Sequence, residues 1–204
     1  MNDHPIFLES LRRIRLLLGE TSLDPLEQQV LERLVHSSGD PSLASLLDFG
    51  DQACQRGLEA LKLGATILTD TAMAEAAVAP MARRTLGTSV QCILSWGPED
   101  IPERSTRTAA GMAMAWRDLA ASDPAPVVLI GSAPTALECL LDQIAEGSPP
   151  PSLIIGMPVG FVGVAESKRR LAESGLAQIR LDGSRGGAGL VAAAVNALLR
   201  AAVA

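Results

Sequence analysis

The chain has 204 residues, 48% of them hydrophobic and 20% charged, a balance that fits one globular domain with a substantial core. Its net charge is -6, its 17 cations are scattered as singles or pairs such as Arg12-Arg13 and Arg169-Arg170, and it holds only 2 Trp and 3 Phe, so nucleic acid is not an expected partner. No apolar run reaches the roughly eighteen residues that span a bilayer. The start Met1-Asn2-Asp3-His4-Pro5 lacks the basic and then apolar pattern of a secretory signal, so the expectation is a soluble, cytoplasmic protein.

Of the cations, all but Lys62 and Lys168 are arginine, which suits bidentate recognition of carboxylates. Cys54, Cys92 and Cys139 are odd in number and far apart, and only two histidines accompany them. They read as reduced core residues, with neither a disulfide nor a metal site.

In chain order, Ile6, Leu8, Leu11, Ile14 and Leu18 recur at helical spacing. After the start signal Thr21-Ser22-Leu23-Asp24-Pro25, so do Leu26, Val30, Leu34 and Val35. Gly39-Asp40-Pro41 ends that second helix, and a third runs from Cys54 to Leu63. His4 precedes the first helix in what reads as a frayed end. The period then changes. Short apolar runs at 66–68, 90–94, 127–130, 153–155 and 177–181 alternate with helical segments near 71–79, 106–121, 134–146, 163–174 and 187–202. This pattern predicts an α/β fold: a single domain over 1–204, with a helical N-terminal part (1–64) and a β-α alternating part (65–204). Its mostly parallel sheet should carry helices on both faces. The Ala-rich last helix should pack closely against the sheet or a partner subunit.

Three strand ends run into glycine-rich turns, at Gly131-Ser132-Ala133-Pro134-Thr135, at Gly156 to Gly163 and at Asp182 to Gly189. Such turns serve as tight connections or let a ligand approach the backbone, with the next helix start holding an anion. None has the dinucleotide or triphosphate glycine spacing. His36 stands three residues after Arg33, on one helical face. It suits either a helix C-terminus or a ligand. Arg107 opens a helix beside capping hydroxyls, where a cation opposes the dipole and hints at an anionic partner. Asp70, between a strand and a helix, reads first as an N-cap.

In order, these segments resemble the precorrin-8X (cobalt-precorrin-8) methylmutase family. The most specific stretch is Gly156-Met157-Pro158-Val159-Gly160-Phe161-Val162-Gly163-Val164-Ala165-Glu166-Ser167-Lys168. It is supported by Val35 to Asp40, Gly64 to Met73, Thr106 to Ala110 and Ala133 to Leu137. The resemblance implies a homodimeric isomerase of cobalamin biosynthesis that needs no cofactor. It would convert precorrin-8X, or its cobalt form, to hydrogenobyrinic or cobyrinic acid by a methyl shift on ring C. A corrinoid carrier with the same fold is the alternative. The resemblance further implies His36 as the proton donor. The implied substrate contacts are Ser10, Arg33, Asp70, Met73, Arg107, Thr108, Pro134, Thr135, Gly160, Phe161, Val162, Arg185, Gly186 and Gly187. The chain departs from the family's usual residues at Ser132 (commonly Asn), Ala188 (commonly Ser) and Leu11 (commonly Phe).

Overall fold

The computed structural model describes residues 4–100, 103 and 105–204; the opening Met1-Asn2-Asp3 lies outside them. Helix α1 (Pro5–Leu18) does not begin as a frayed end: the His4 ring accepts a hydrogen bond from the Ile6 N–H at 3.2 Å and caps it, with Pro5 in the first turn. Helix α2 (Pro25–Ser38) starts in a capping box. Asp24 accepts from the Leu26 and Glu27 N–H groups, and Glu27 accepts from the Asp24 N–H. It ends at Gly39 in the left-handed region (φ 70°). The segment expected to be purely helical up to residue 64 contains a strand, β1 (Leu47–Phe49), before α3 (Ala53–Lys62).

The remaining elements alternate as the periodicity predicts: β2 (Ile67–Thr69), α4 (Ala72–Arg84), β3 (Val90–Cys92), α5 (Arg107–Leu119), β4 (Val127–Ile130), α6 (Pro134–Ala145), β5 (Leu153–Gly156), α7 (Val164–Glu173), β6 (Gln178–Leu181) and α8 (Ala188–Ala201). Helix α4 runs past its expected end at 79 and straight through Pro80. Proline removes one helical hydrogen bond, but Met81 and Ala82 on the following turn are buried in the main core, and that packing outweighs the loss.

The sheet order is β1-β6-β5-β4-β2-β3, with every neighbouring pair parallel except β1, which runs antiparallel to β6. Side chains alternate along the strands and divide the core in two. Val127, Leu129, Leu153, Ile155 and Ile179 pack with α2, α3, α4 and α8. Val128, Ile130 and Ile154 pack with Met112, Trp116, Leu137, Leu140 and Leu171 of α5, α6 and α7. A full burial of each such side chain is worth roughly 1.5–3 kcal/mol. The Ala-rich α8 is buried between α2 and α4 and packs on β4 and β5 of the sheet. Helix α1 lies outside this frame, seated on α2 through Ile14, Leu31 and Val35.

Candidate active site

Because the five parallel strands point the same way, the turns that follow them gather along one edge of the sheet, where ligands of such folds bind. The three glycine turns stand side by side there, since β4, β5 and β6 are neighbours. They touch one another: the Val159 N–H donates to the Gly131 carbonyl (3.2 Å), the Gly160 N–H to the Ser184 carbonyl (3.1 Å) and the Gly187 N–H to the Met157 carbonyl (2.9 Å). A Cβ on Gly131 would lie 2.8 Å from the Ala188 nitrogen, and one on Gly186 would overlap the Met157 carbonyl. These two glycines are therefore required by turn-to-turn packing, the tight-connection alternative of the two that the sequence left open.

Asp70 closes the first turn. It follows β2 and is fully buried, and its Oδ2 accepts from three successive backbone N–H groups: Gly131 at 3.0 Å, Ser132 at 2.6 Å and Ala133 at 2.8 Å. Burial pushes its carboxyl upward in pKa, against the pull of those N–H groups. The expected N-cap role falls instead to Thr71, whose hydroxyl accepts from the Ala74 N–H. The departure at Ser132 leaves that contact intact, because it uses the backbone.

Beyond Asp70, Pro134 opens α6 and brings no N–H of its own. Thr135 on α6 then meets the start of α5: its hydroxyl lies 2.7 Å from that of Thr106 and 3.4 Å from that of Thr108. Thr106 also caps α5 by accepting from the Ala109 N–H (3.1 Å), and the exposed Arg107 is the first residue of that helix. Two positive helix ends and a cluster of hydroxyls meet at one corner, while the Arg107 side chain runs beside Gly97.

At the opposite side of the same edge, Lys168 is buried among β6–α8 turn atoms and donates to the carbonyls of Gly183 (2.8 Å) and Arg185 (2.6 Å). Burial lowers its pKa to about 8, with Asp182 opposing the shift. The Arg185 guanidinium bonds Asp40 (2.6 Å) and Ser42 (2.5 Å). That bridge joins the turn to the segment just beyond α2, four residues after His36.

His36 is exposed on the last turn of α2, with its ring edge-on to Phe7 (centroids 5.2 Å apart, planes at 88°). Arg33 lies on the same helical face, its guanidinium 5.1 Å from the Phe7 ring centre, and Arg200 of α8 stands 5.2 Å from that centre. Burial, and then the Arg33 charge, lower the His36 pKa. A histidine serving only the helix C-terminus would be raised by the dipole, and in the last turn of α2 the Leu34 and Val35 carbonyls already accept from Ser38 and Gly39. Ser10 lies one turn beyond Phe7 and donates to the Ile6 carbonyl (2.9 Å). Leu11, another of the three departures, packs into the α1–α2 core. Met73, Phe161 and Val162 are 66%, 95% and 88% exposed, so apolar surface faces outward from this edge. Sequence reading missed Phe7, Thr106, Lys168 and Arg200. Lys168 and Thr106 had visible signals, the first as one of two lysines and the last residue of the longest motif, the second as a capping hydroxyl at the start of a supporting motif. Among the described residues no cluster of three or more His, Cys, Asp or Glu could hold a metal ion.

Fold and site together define a single-domain α/β protein that presents a ligand face at the carboxyl edge of a mostly parallel sheet. Residues 5–201 match the family described as CbiC, precorrin-8X methylmutase. The chain is 36% identical over 211 residues to the cobalt-precorrin-8 methylmutase of Synechocystis sp., covering 97% of this chain and 95% of that one. It is also 36% identical over 199 residues to the precorrin-8X methylmutase of Pseudomonas aeruginosa, covering 95% and 93%. The crystal structure of a precorrin-8X methylmutase from Thermus thermophilus superposes with a TM-score of 0.87 at 36% identity, over 98% of both chains. The chain belongs to the precorrin-8X methylmutase family. Its activity is an intramolecular methyl migration in corrin biosynthesis.

Proposed function

We propose that a polycarboxylate tetrapyrrole, with or without cobalt, lies across the carboxyl edge of the sheet and receives a proton from His36. Its methyl group then migrates between neighbouring ring carbons. Protonating the ring leaves its π-system electron-poor and lowers the barrier to migration. The observation that supports this reading is the setting of His36: exposed, edge-on to Phe7 and beside Arg33, at the end of the helix whose next segment is tied by Arg185 to the β6–α8 turn. The exposed Met73, Phe161 and Val162 suit the flat apolar ring, with Gly160 between its neighbours in the same turn. Its carboxylates go to Arg33, to the Arg107–Thr108–Thr135 corner and to the Arg185–Gly187 turn. Ser10 is the outermost contact, and Asp70 and Pro134 act by holding the turn before Thr135.

Burial, and then the Arg33 charge, lower the His36 pKa from its ordinary value, which favours the neutral imidazole in the free enzyme. A bound ring with several carboxylates raises its proton affinity. The proton is thus taken up as the substrate arrives. The acid form is the active one, so rates fall as pH rises, and the kcat limb lies at higher pH than the kcat/KM limb. His36→Ala is expected to lose turnover while still binding the coloured product, as an absorption titration would show; near wild-type turnover in that variant would overturn the mechanism.

The working form in this reading is a cytoplasmic homodimer. Support comes from Ile6, Leu16 and Leu17 on the outer side of α1, which are 72%, 71% and 70% exposed and form apolar surface suited to a second copy. Among the described residues no helix is long and apolar enough to cross a membrane.

A further inference from the structure

The α6 end of the carboxylate-binding corner is not held by α6 itself. Its N-cap, Ala133, has no side chain able to accept a hydrogen bond, and its first residue is proline. The turn before it is held from another element: the Asp70 carboxylate takes all three N–H groups of Gly131, Ser132 and Ala133, more than sixty residues along the chain. A carboxylate engaged by three N–H groups fixes the path of that backbone. The path in turn sets where the Thr135 hydroxyl stands relative to Thr106 and Thr108.

We propose that Asp70 is a positioning residue of the methylmutase: it occupies the anion cradle of the β4–α6 turn from inside the protein and so places Thr135 to receive a substrate carboxylate. This rests on the reading of the Arg107–Thr108–Thr135 corner given above. The ring's own carboxylates are excluded from those three N–H groups and are received one turn further on. Asp70 touches no substrate and moves no proton, so its removal acts on KM and leaves the methyl shift itself largely untouched.

The test is steady-state kinetics on precorrin-8X with Asp70→Ala, Asp70→Asn and Thr135→Val, each checked for folding by circular dichroism. Asp70→Ala is expected to raise KM about tenfold with kcat within about threefold. Asp70→Asn keeps the volume and one acceptor, so it should recover part of that loss. Thr135→Val should raise KM to a similar degree, and the double variant with Asp70→Ala should add little to it, as for two residues acting through one contact. If Asp70→Ala fails to fold, the KM and kcat of Asp70→Asn decide the matter alone. An unchanged KM in Asp70→Asn and Asp70→Ala, beside a raised KM in Thr135→Val, overturns the positioning role while leaving the corner in place. An unchanged KM in Thr135→Val overturns the corner and this proposal together. A fall in kcat with KM untouched also overturns it.

Discussion

Lys168 is 1% exposed and carries its ammonium to two backbone carbonyls, so one side chain decides the shape of the β6–α8 turn. Burial has lowered its pKa from 10.5 to about 8. Between those values the unfolded chain holds a proton that the folded protein lacks. Stability therefore rises with pH across that window, and the cost of burying the charge is fully present below about pH 8. Lys168→Met removes the titration. Urea unfolding of both proteins between pH 7 and 10.5 should show the wild type gaining stability relative to the variant above pH 8. A constant difference across that range would mean the ammonium is not burdened by its burial. The same residue illustrates what a linear reading leaves out. Its place in the longest motif was visible, but the carbonyls it serves lie at 183 and 185. Asp70 likewise read as a local cap because its three partners are more than sixty residues away.

The parallel strands and the helices between them were legible because their periods differ and turn residues separate them. Strand β1 was not: three residues, Leu47-Asp48-Phe49, give no period. What makes them a strand is pairing with β6 and the ion pair of Asp48 with Arg180 (2.8 Å). The glycine turns were legible as special, but their reason was not, since their closest neighbours are one another. That reason has a measurable consequence. Gly186→Ala places a methyl against the Met157 carbonyl, which also accepts from the Gly187 N–H, and should destabilise the protein by about 1–3 kcal/mol. Gly189→Ala, three residues on, meets nothing within 4 Å and lies inside α8, so it should be neutral or stabilising by up to about 1 kcal/mol. Denaturant midpoints for the two variants check the pair, and equal midpoints would show that the turns have room to give.

For the whole molecule, the proposed site draws on both ends of the chain: His36 on α2 and the turn leading into α8, with the segment just after α2 held to that turn by the Arg185–Asp40 bridge. The exposed apolar residues of α1 beside it are the expected contact with a second copy. Sedimentation should give twice the 21.3 kDa chain mass, and a Leu16→Glu and Leu17→Glu double variant should shift it toward the single-chain value. A wild type that sediments as one chain at micromolar concentration would remove α1 from that role. The pairing of β1 with β6 (Leu47 opposite Leu181) and the seating of α2 on α8 have a further effect on the order of events during synthesis. At roughly 5–20 residues per second on the ribosome, the histidine-bearing helix emerges many seconds before the strand and helix that seat it. The first quarter of the protein must wait, with its apolar faces uncovered, for the last quarter to arrive. A nascent chain halted before residue 178 has the sequences of β2 to β5 but lacks β6, without which Leu47–Phe49 has no strand to pair with and Asp40 has no Arg185 to hold it, so the fold is completed only when translation is nearly finished.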